Sequence, residues 1–497
     1  ITYEAPYLDN LPTAPREKFA ANIAAIQKLK EIEQRVANGG SPAFEDEQKI
    51  LAQYTGWGGL SDAFDPNKSA WSNEYSQLKA ALSESEYEAA RSSTLTAFYT
   101  PATVIHPIYR ALERFGVKGG KILEPSMGTG AFLAHGHFGS SDAKFYGVEL
   151  DSITGRISKQ LYQKANIQVT GYENALLPDN YFDCVIGNVP FGNFQVNDPQ
   201  YNRLHFPIHD YFFAKSIDKL RTGGIMAFIT SSGTLDKKDD RARKYIAERC
   251  DLIGAVRLPN NAFKGSGTKI MTDVIFLQKR DTLRQQDEPW LHLAEDANGI
   301  TMNRYFVEHP EMICGRMEIV AGPYGPTSTC QPIDPDAVDR FGKPLLETQI
   351  DTAMQHLTAT LTKAEIPIQE ESGEDTKYID ADPFVRNFSY TVKDDKIYYR
   401  EGAVMRECNP NAASAERIRK LVELRDTTRA LIDAQLQDLS DEEIHRLQAQ
   451  LNRQYDAFRA KHGLINSRSA ELSFRDDSSY YLLCSLENVD EKGNFIS

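Results

Sequence analysis

Apolar side chains recur at three- and four-residue spacing near the start of the chain. Phe19, Ile23, Ile26, Leu29 and Ile32 line one helical face until Gly39-Gly40 ends it. Pro15 suits the first turn of that helix, where its missing N–H is not needed. A short helix over 45–54 runs into Thr55-Gly56-Trp57-Gly58-Gly59-Leu60, a glycine-rich loop around one tryptophan that reads either as packing or as a ligand edge. A further polar helix covers 71–92, so residues 1–95 are expected to form a helical N-terminal region.

From Phe98 the pattern changes to apolar runs alternating with amphipathic stretches. Phe98-Tyr99-Thr100-Pro101 opens a helix over 102–115, with Thr100 as its cap and Pro101 in its first turn. Runs at 121–123, 144–148, 167–170, 182–188, 224–230, 252–258 and 273–278 read as strands buried on both faces, with helices such as 210–220 and 237–250 between them. The fold class is therefore α/β, a doubly wound, Rossmann-like seven-stranded sheet, expected to occupy residues 96–290. Residues 291–497 are expected to be a C-terminal α+β region. Short strands and loops fill 291–372, and a hairpin over 378–408 carries Tyr390, Tyr398, Tyr399 and Arg400. A helical hairpin covers 415–461, its second helix opened by a Ser440-Glu443 capping box, and YYLLCSLENV from Tyr480 reads as a strand.

Composition narrows the function. A chain of 497 residues exceeds one ordinary core, so two or three domains are expected. Cys184, Cys250, Cys314, Cys330, Cys408 and Cys484 show no paired spacing, which excludes a zinc knuckle or a disulfide framework and suits a reducing cytoplasm. There is no leader-like start and no apolar run near the ~20 residues that span a bilayer, so no membrane partner is expected. The net charge of −14 argues against non-specific coating of nucleic acid, yet residues 201–280 carry 15 Lys and Arg against 8 Asp and Glu. His205 and His209 enclose Pro207 and have no third ligand, so no metal site is expected; His135 and His137 read as surface residues.

Candidate chemistry sits at the ends of three strands. Glu124-Pro125-Ser126-Met127-Gly128-Thr129-Gly130 follows the first strand and precedes a helix, where glycine lets a backbone amide approach a ligand. Glu149 lies 21 positions past Gly128, where a nucleoside-binding unit places a carboxylate for ribose hydroxyls. The third strand leads to Gly171-Tyr172-Glu173-Asn174, whose polar side chains suit an adenine edge. The fourth ends in Asn188-Val189-Pro190-Phe191: an amide to read a nucleobase edge and a ring to cover its face, or simply an Asn-Pro turn leaving a strand. Gly265-Ser266-Gly267-Thr268-Lys269 lacks Walker spacing and reads as a basic loop for the DNA backbone.

Taken together and in this order, Phe98-Tyr99-Thr100-Pro101, the Glu124–Gly130 motif, Gly147-Val148-Glu149-Leu150-Asp151 and Asn188-Val189-Pro190-Phe191 resemble the gamma-class, amino-group DNA methyltransferases that make N6-methyladenine. With the TGWGGL loop, the chain looks like the large adenine methylases of phages and mobile elements, often fused to a helicase; the resemblance covers roughly residues 15–320. It implies S-adenosylmethionine as cofactor, double-stranded DNA as partner, and a helicase segment beyond residue 497. Tyr99, Thr100 and Pro101 would line the methionine end, Glu124, Ser126, Gly128 and Gly130 would take its carboxylate and amino group, and Glu149 the ribose. Glu173 or Asn174 would meet the cofactor's adenine, with Leu150 as an apolar wall. Asn188 with the carbonyl of Val189 or Pro190 would accept the N6 hydrogens of a flipped adenine, Phe191 would stack on one face and Phe263 on the other. Val189 departs from the usual Pro-Pro, which puts loop rigidity in question. An RNA or protein-glutamine methyltransferase using the same Asn-Pro-aromatic device is the alternative, and a non-catalytic DNA-binding module a further one.

Overall fold

The structure is a computed structural model, and it describes residues 11–94, 100–136, 143–263, 270–322, 325–334, 337–340, 342, 344–363, 377–402, 404–437 and 439–488. The chain divides into two compact units, Ile1–Ala175 with Phe182–Thr362 and Leu176–Tyr181 with Lys363–Ser497.

The first unit opens with helices α1 (Pro15–Ala37), α2 (Glu45–Leu51), α3 (Ser72–Ala81) and α4 (Glu84–Ser93). The apolar face of α1 is buried as its spacing requires. Trp57 is 1% exposed and is ringed by Phe19, Tyr54 and Phe64 at 6.3, 6.3 and 5.4 Å, so the TGWGGL tryptophan is packing. Buried Asn22 shapes that loop, donating to the Gly56 carbonyl at 2.7 Å and accepting the Thr55 N–H at 2.9 Å. The single helix expected over 71–92 is two. Ser83 accepts the Glu86 N–H while Glu86 accepts the Ser83 N–H, and that reciprocal cap starts a new helix.

Alternation then follows: α5 (Ala102–Arg114), β1 (Lys121–Glu124), α6 (Ala131–His135), β2 (Lys144–Glu149), α7 (Ser152–Leu161), β3 (Asn166–Val169), β4 (Phe182–Asn188), α8 (Ile208–Lys219), β5 (Leu220–Ser231), α9 (Gly233–Asp236), α10 (Arg241–Arg249), β6 (Cys250–Leu258) and β7 (Thr272–Lys279). The seven strands form one sheet in the order β3-β2-β1-β4-β5-β7-β6, parallel except for β7. This is the mixed α/β sheet expected from the apolar runs. Helix α5 is capped by Pro101 rather than Thr100. The basic helix expected over 237–250 starts four residues later, at Arg241, where Asp239 accepts the Arg241 N–H and turns the chain before α10. After β7 the unit adds β8 (Leu293–Glu295), β9 (Thr301–Asn303), α11 (Arg304–Glu308), a hairpin of β10 (Arg316–Gly322) with β11 (Gly325–Gln331), and α12 (Leu345–Met354).

The second unit holds β12 (Tyr378–Asp380), β13 (Tyr390–Lys393), β14 (Lys396–Glu401) and β15 (Val404–Cys408) in a sheet ordered β12-β15-β14-β13, larger than the hairpin expected. Helices α13 (Ala412–Leu436) and α14 (Asp441–His462) pack on each other, and Ser440 caps the second by accepting the Glu443 N–H. Two short helices follow, α15 (Arg468–Phe474) and α16 (Tyr480–Cys484). The stretch from Tyr480 expected as a strand is therefore helical: Tyr480 and Leu483 are buried at helical spacing, and the Tyr480 hydroxyl donates to the Ile465 carbonyl at 2.9 Å.

Candidate active site

Three parallel strands bring the motif residues to one carboxyl edge. Glu124 at the end of β1 pairs with Gly147 of β2, and Leu123 pairs with Val185 of β4. Glu149 and Asn188 therefore lie in one row, each two residues past the position beside Glu124, with β1 between them. At about 4.8 Å per strand their backbones are about 10 Å apart.

The glycine motif folds over that edge. Met127 donates its N–H to the Val148 carbonyl at 3.0 Å, while the Ser158 and Tyr162 hydroxyls donate to the carbonyls of Gly128 and Thr129 at 2.9 and 3.0 Å. Gly130 has φ +79°, and a Cβ there would lie 2.3 Å from the Tyr162 ring. Each oxygen of Glu149 accepts one backbone amide: Gly128 N–H on Oε2 and Asp151 N–H on Oε1, both at 2.8 Å. Burial raises the Glu149 carboxyl to about 7, against the pull of those amides. Glu124, 2% exposed, is pushed well above the usual carboxylate range by burial first and by Glu149 second, and its Oε2 is buried without a hydrogen-bond partner. Two carboxyl groups held in so little water form a site that favours a cation.

Asn188 is braced from two directions. Its Nδ2 donates to Thr100 Oγ1 at 3.2 Å, the Ser126 hydroxyl donates to its main-chain oxygen at 2.8 Å, and its Oδ1 is buried without a partner. Thr100 and Ser126 thus hold the asparagine, contacts between distant positions for which the sequence carries no local signal. The N–H of Val189 donates to the Ile229 carbonyl at 3.0 Å, extending the β4–β5 ladder by one bond. A proline there has no N–H to give, so valine replaces proline's fixed backbone angle with a ladder hydrogen bond. Pro190 and Phe191 are half-buried.

The remaining candidates are less gathered. Pro101 is half-buried at the start of α5. Phe263 is 8% exposed, on the turn after β6, which is moored to the β10–β11 hairpin by Asn260 N–H to the Cys330 carbonyl at 2.7 Å and Asn260 Nδ2 to Thr329 Oγ1 at 3.1 Å. Leu150 is 76% exposed. Asn174 Nδ2 donates to Glu173 Oε1 at 3.2 Å on the turn after β3. Tyr99, His137 and the Gly265–Lys269 loop lie outside the described residues. Close to the Phe263 turn stands a buried triad not foreseen from sequence. Arg257 meets Asp273 at 2.8 Å and Asp236 at 2.9 Å. Its signal was an arginine and an aspartate set within otherwise apolar strands. Among the described residues no group of three side chains could hold a metal ion, and no helix is long and apolar enough to cross a membrane.

Residues 85–302 match the family described as N-6 DNA Methylase. The chain is 27% identical over 291 residues to Defense against restriction protein B of Escherichia phage P1, covering 57% of this chain and 11% of that protein. It is 27% identical over 183 residues to Modification methylase CviBIII of Paramecium bursaria Chlorella virus NC1A, covering 36% of this chain and 48% of that one. The chain thus spans half or less of the length of these relatives. The solved Type I restriction enzyme EcoKI M protein is similar at 17% identity and a TM-score of 0.31, over 52% of this chain and 62% of that one.

Proposed function

On the premise that residues 85–302 form a member of the N-6 DNA methylase family, we propose that the protein transfers a methyl group from S-adenosylmethionine to the N6 amino group of an adenine flipped out of duplex DNA. The observation that carries this reading is the buried, unpartnered Oδ1 of Asn188, in the same sheet row as Glu149. A buried acceptor without a donor costs about 1–3 kcal/mol, and an exocyclic amino group would supply that donor.

The residues present fit the cofactor. Glu149 keeps unused lone pairs on both oxygens for ribose hydroxyls. Glu124 and the Gly128–Gly130 loop, with Tyr99, Thr100 and Pro101, would hold the methionine end, whose ammonium and sulfonium charges suit the carboxyl pair. Glu173 or Asn174 would take the adenine. Bound there, S-adenosylmethionine supplies a methyl group activated by its positive sulfur.

The chain supplies positioning and acceptors. Adenine N6 is a weak nucleophile because its lone pair is delocalised into the ring. Asn188 Oδ1 and the carbonyl of Val189 or Pro190 would accept the two N6 hydrogens, drawing the nitrogen towards tetrahedral geometry and freeing the lone pair. With the methyl group passing from sulfur to N6, the surplus N6 proton would be left to water, and the chain's own part would be to hold both N6 hydrogens in place. Phe191 would stack on one face of the base and Phe263, once uncovered, on the other. The C-terminal unit would supply further DNA contacts.

Incubation of the protein with duplex DNA and methyl-labelled S-adenosylmethionine, followed by digestion to nucleosides, tests the reading. Label in N6-methyladenine is expected. Label in tRNA or a protein glutamine instead of DNA, or tight cofactor binding with no labelled product, would sink it.

A further inference from the structure

We propose that Lys215, on α8, is a positioning residue: one buried ammonium ties the turn Tyr172–Asn174 to the loop that follows Phe191. The proposal rests on the methyltransferase reading above and adds how its cofactor side and its base side are kept in register.

The side chain of Lys215 is 7% exposed. Its Nζ donates to Asp198 Oδ2 at 2.8 Å and to the Glu173 carbonyl at 3.3 Å. The rings of Tyr172, Tyr201 and Tyr211 lie 5.2, 5.8 and 6.0 Å from it, an aromatic surround for a desolvated cation. Burial pulls the Lys215 ammonium down, opposed chiefly by Asp198. Burial also pushes Asp198 up, but the bonds from Lys215 and Tyr211 outweigh it and hold the carboxyl below its usual range.

Asp198 is the knot of the 191–207 loop. Its carbonyl accepts the N–H groups of Tyr201 and Asn202, both at 2.9 Å, and its carboxylate takes the Tyr211 hydroxyl at 2.8 Å. Nearer the Asn188 motif, Ile208 N–H donates to the Phe194 carbonyl at 2.9 Å and the His209 ring bonds to the Gly192 main chain. On the cofactor side, the Tyr172 hydroxyl pairs with Ser216 at 3.0 Å and its ring sits 4.9 Å from Phe212. Helix α8 therefore grips both segments, and Lys215 bonds to each of them through one atom. An apolar side chain would fill the same volume without the desolvation cost of a buried ion pair, so what the ammonium adds is direction.

Calorimetry with S-adenosylmethionine, and kcat and KM for cofactor and for methylatable duplex DNA, are compared for wild type, Lys215→Met, Lys215→Arg and Asp198→Asn. Lys215→Met is expected to weaken cofactor binding about tenfold, the scale of one charge-assisted hydrogen bond, with Lys215→Arg recovering most of the loss. Asp198→Asn keeps the donor on the Glu173 carbonyl, so it is expected to raise KM for DNA while cofactor affinity stays within about twofold. It carries the test if Lys215→Met does not fold. A folded Lys215→Met with wild-type cofactor affinity and a lower melting temperature would show a brace and overturn the proposal alone, as would an unchanged KM for DNA in Asp198→Asn. Failure of the wild type to bind cofactor would overturn the functional reading and this proposal with it.

Discussion

Glu149 and Asn188 share one register row of the central sheet with only β1 between them, and Ser126, on the turn leaving β1, donates its hydroxyl to the Asn188 main chain. A ligand on the carboxylate, as proposed, would be presented along the edge towards the amide.

Replacing Asn188 by alanine separates the two ends of that row. The residues proposed for the cofactor on β1 and β2 stay in place, while the buried acceptor is lost together with its bond to Thr100. The expected outcome is a fall of about 10²–10³ in kcat, the scale of removing one preorganised transition-state contact. Cofactor affinity measured by calorimetry should change less than about threefold. A variant with wild-type turnover would remove Asn188 from the chemistry.

On the proposed reading, Glu149 should make cofactor affinity depend on pH. Burial raises its carboxyl to about 7, so below that pH the cofactor-free protein holds a proton that two ribose hydroxyls would have to displace. Affinity is expected to rise with pH and level off above about 7, approaching tenfold per unit on the acid side. Stability has the opposite sign. A raised folded pKa means that the native state binds the proton more tightly than the unfolded chain, so this group's contribution falls as pH rises towards 7. Calorimetry in buffers of different ionisation enthalpy should detect proton release on binding near pH 6. In Glu149→Gln the share of the release and of the pH dependence that belongs to this carboxyl should vanish, leaving weak binding and only what Glu124 contributes.

Much of the sheet was legible because its strands are apolar on both faces: Cys184, Val185 and Ile186 are fully buried in a row, which no half-exposed strand would require. The boundary between α3 and α4 was also written in the chain, as the Ser83–Glu86 cap, but the polar run around it hid the break. Placement of Glu124, Glu149 and Asn188 at strand ends follows from short local motifs. Their bracing does not. The Thr100–Asn188 bond spans 88 positions, and the Lys215–Glu173 bond spans 42. Such pairs arise only when strands and helices pack. The same is true of Tyr480: its stretch is an aromatic and apolar run like a strand's, yet it folds as a helix whose Tyr480 hydroxyl reaches the Ile465 carbonyl.

Gly130 admits no side chain. Its φ of +79° already disfavours any other residue, and an added Cβ would lie 2.3 Å from a Tyr162 ring whose hydroxyl is tied to the Thr129 carbonyl. Gly130→Ala is expected to cost about 1 kcal/mol for the backbone and about 1–3 kcal/mol more for the displaced ring. Urea denaturation should show that loss, accompanied by weaker cofactor binding as the motif loop shifts.

The triad beside the Phe263 turn offers a test of a different kind. Arg257 and Asp273 are both fully buried, joined by two hydrogen bonds at 2.8 and 2.9 Å, with Asp236 at 2.9 Å and the Phe306 ring 4.2 Å from the guanidinium. The main chain of Arg257 also accepts the Cys314 N–H at 2.8 Å, linking β6 to the segment that leads into the β10–β11 hairpin. Asp273→Asn leaves a buried guanidinium with half its compensation, and about 3–5 kcal/mol of stability should go with it. Removing the two fully buried charges in Arg257→Met with Asp273→Leu takes away most of the desolvation cost and leaves Asp236, which is 16% exposed, to water, so the double variant should be more stable than Asp273→Asn. The Phe263 turn follows β6 directly, so the double variant should still lose affinity for a duplex carrying an unpaired adenine, if the triad's work is to aim that turn. Recovery of stability together with full DNA affinity would leave the triad as packing only.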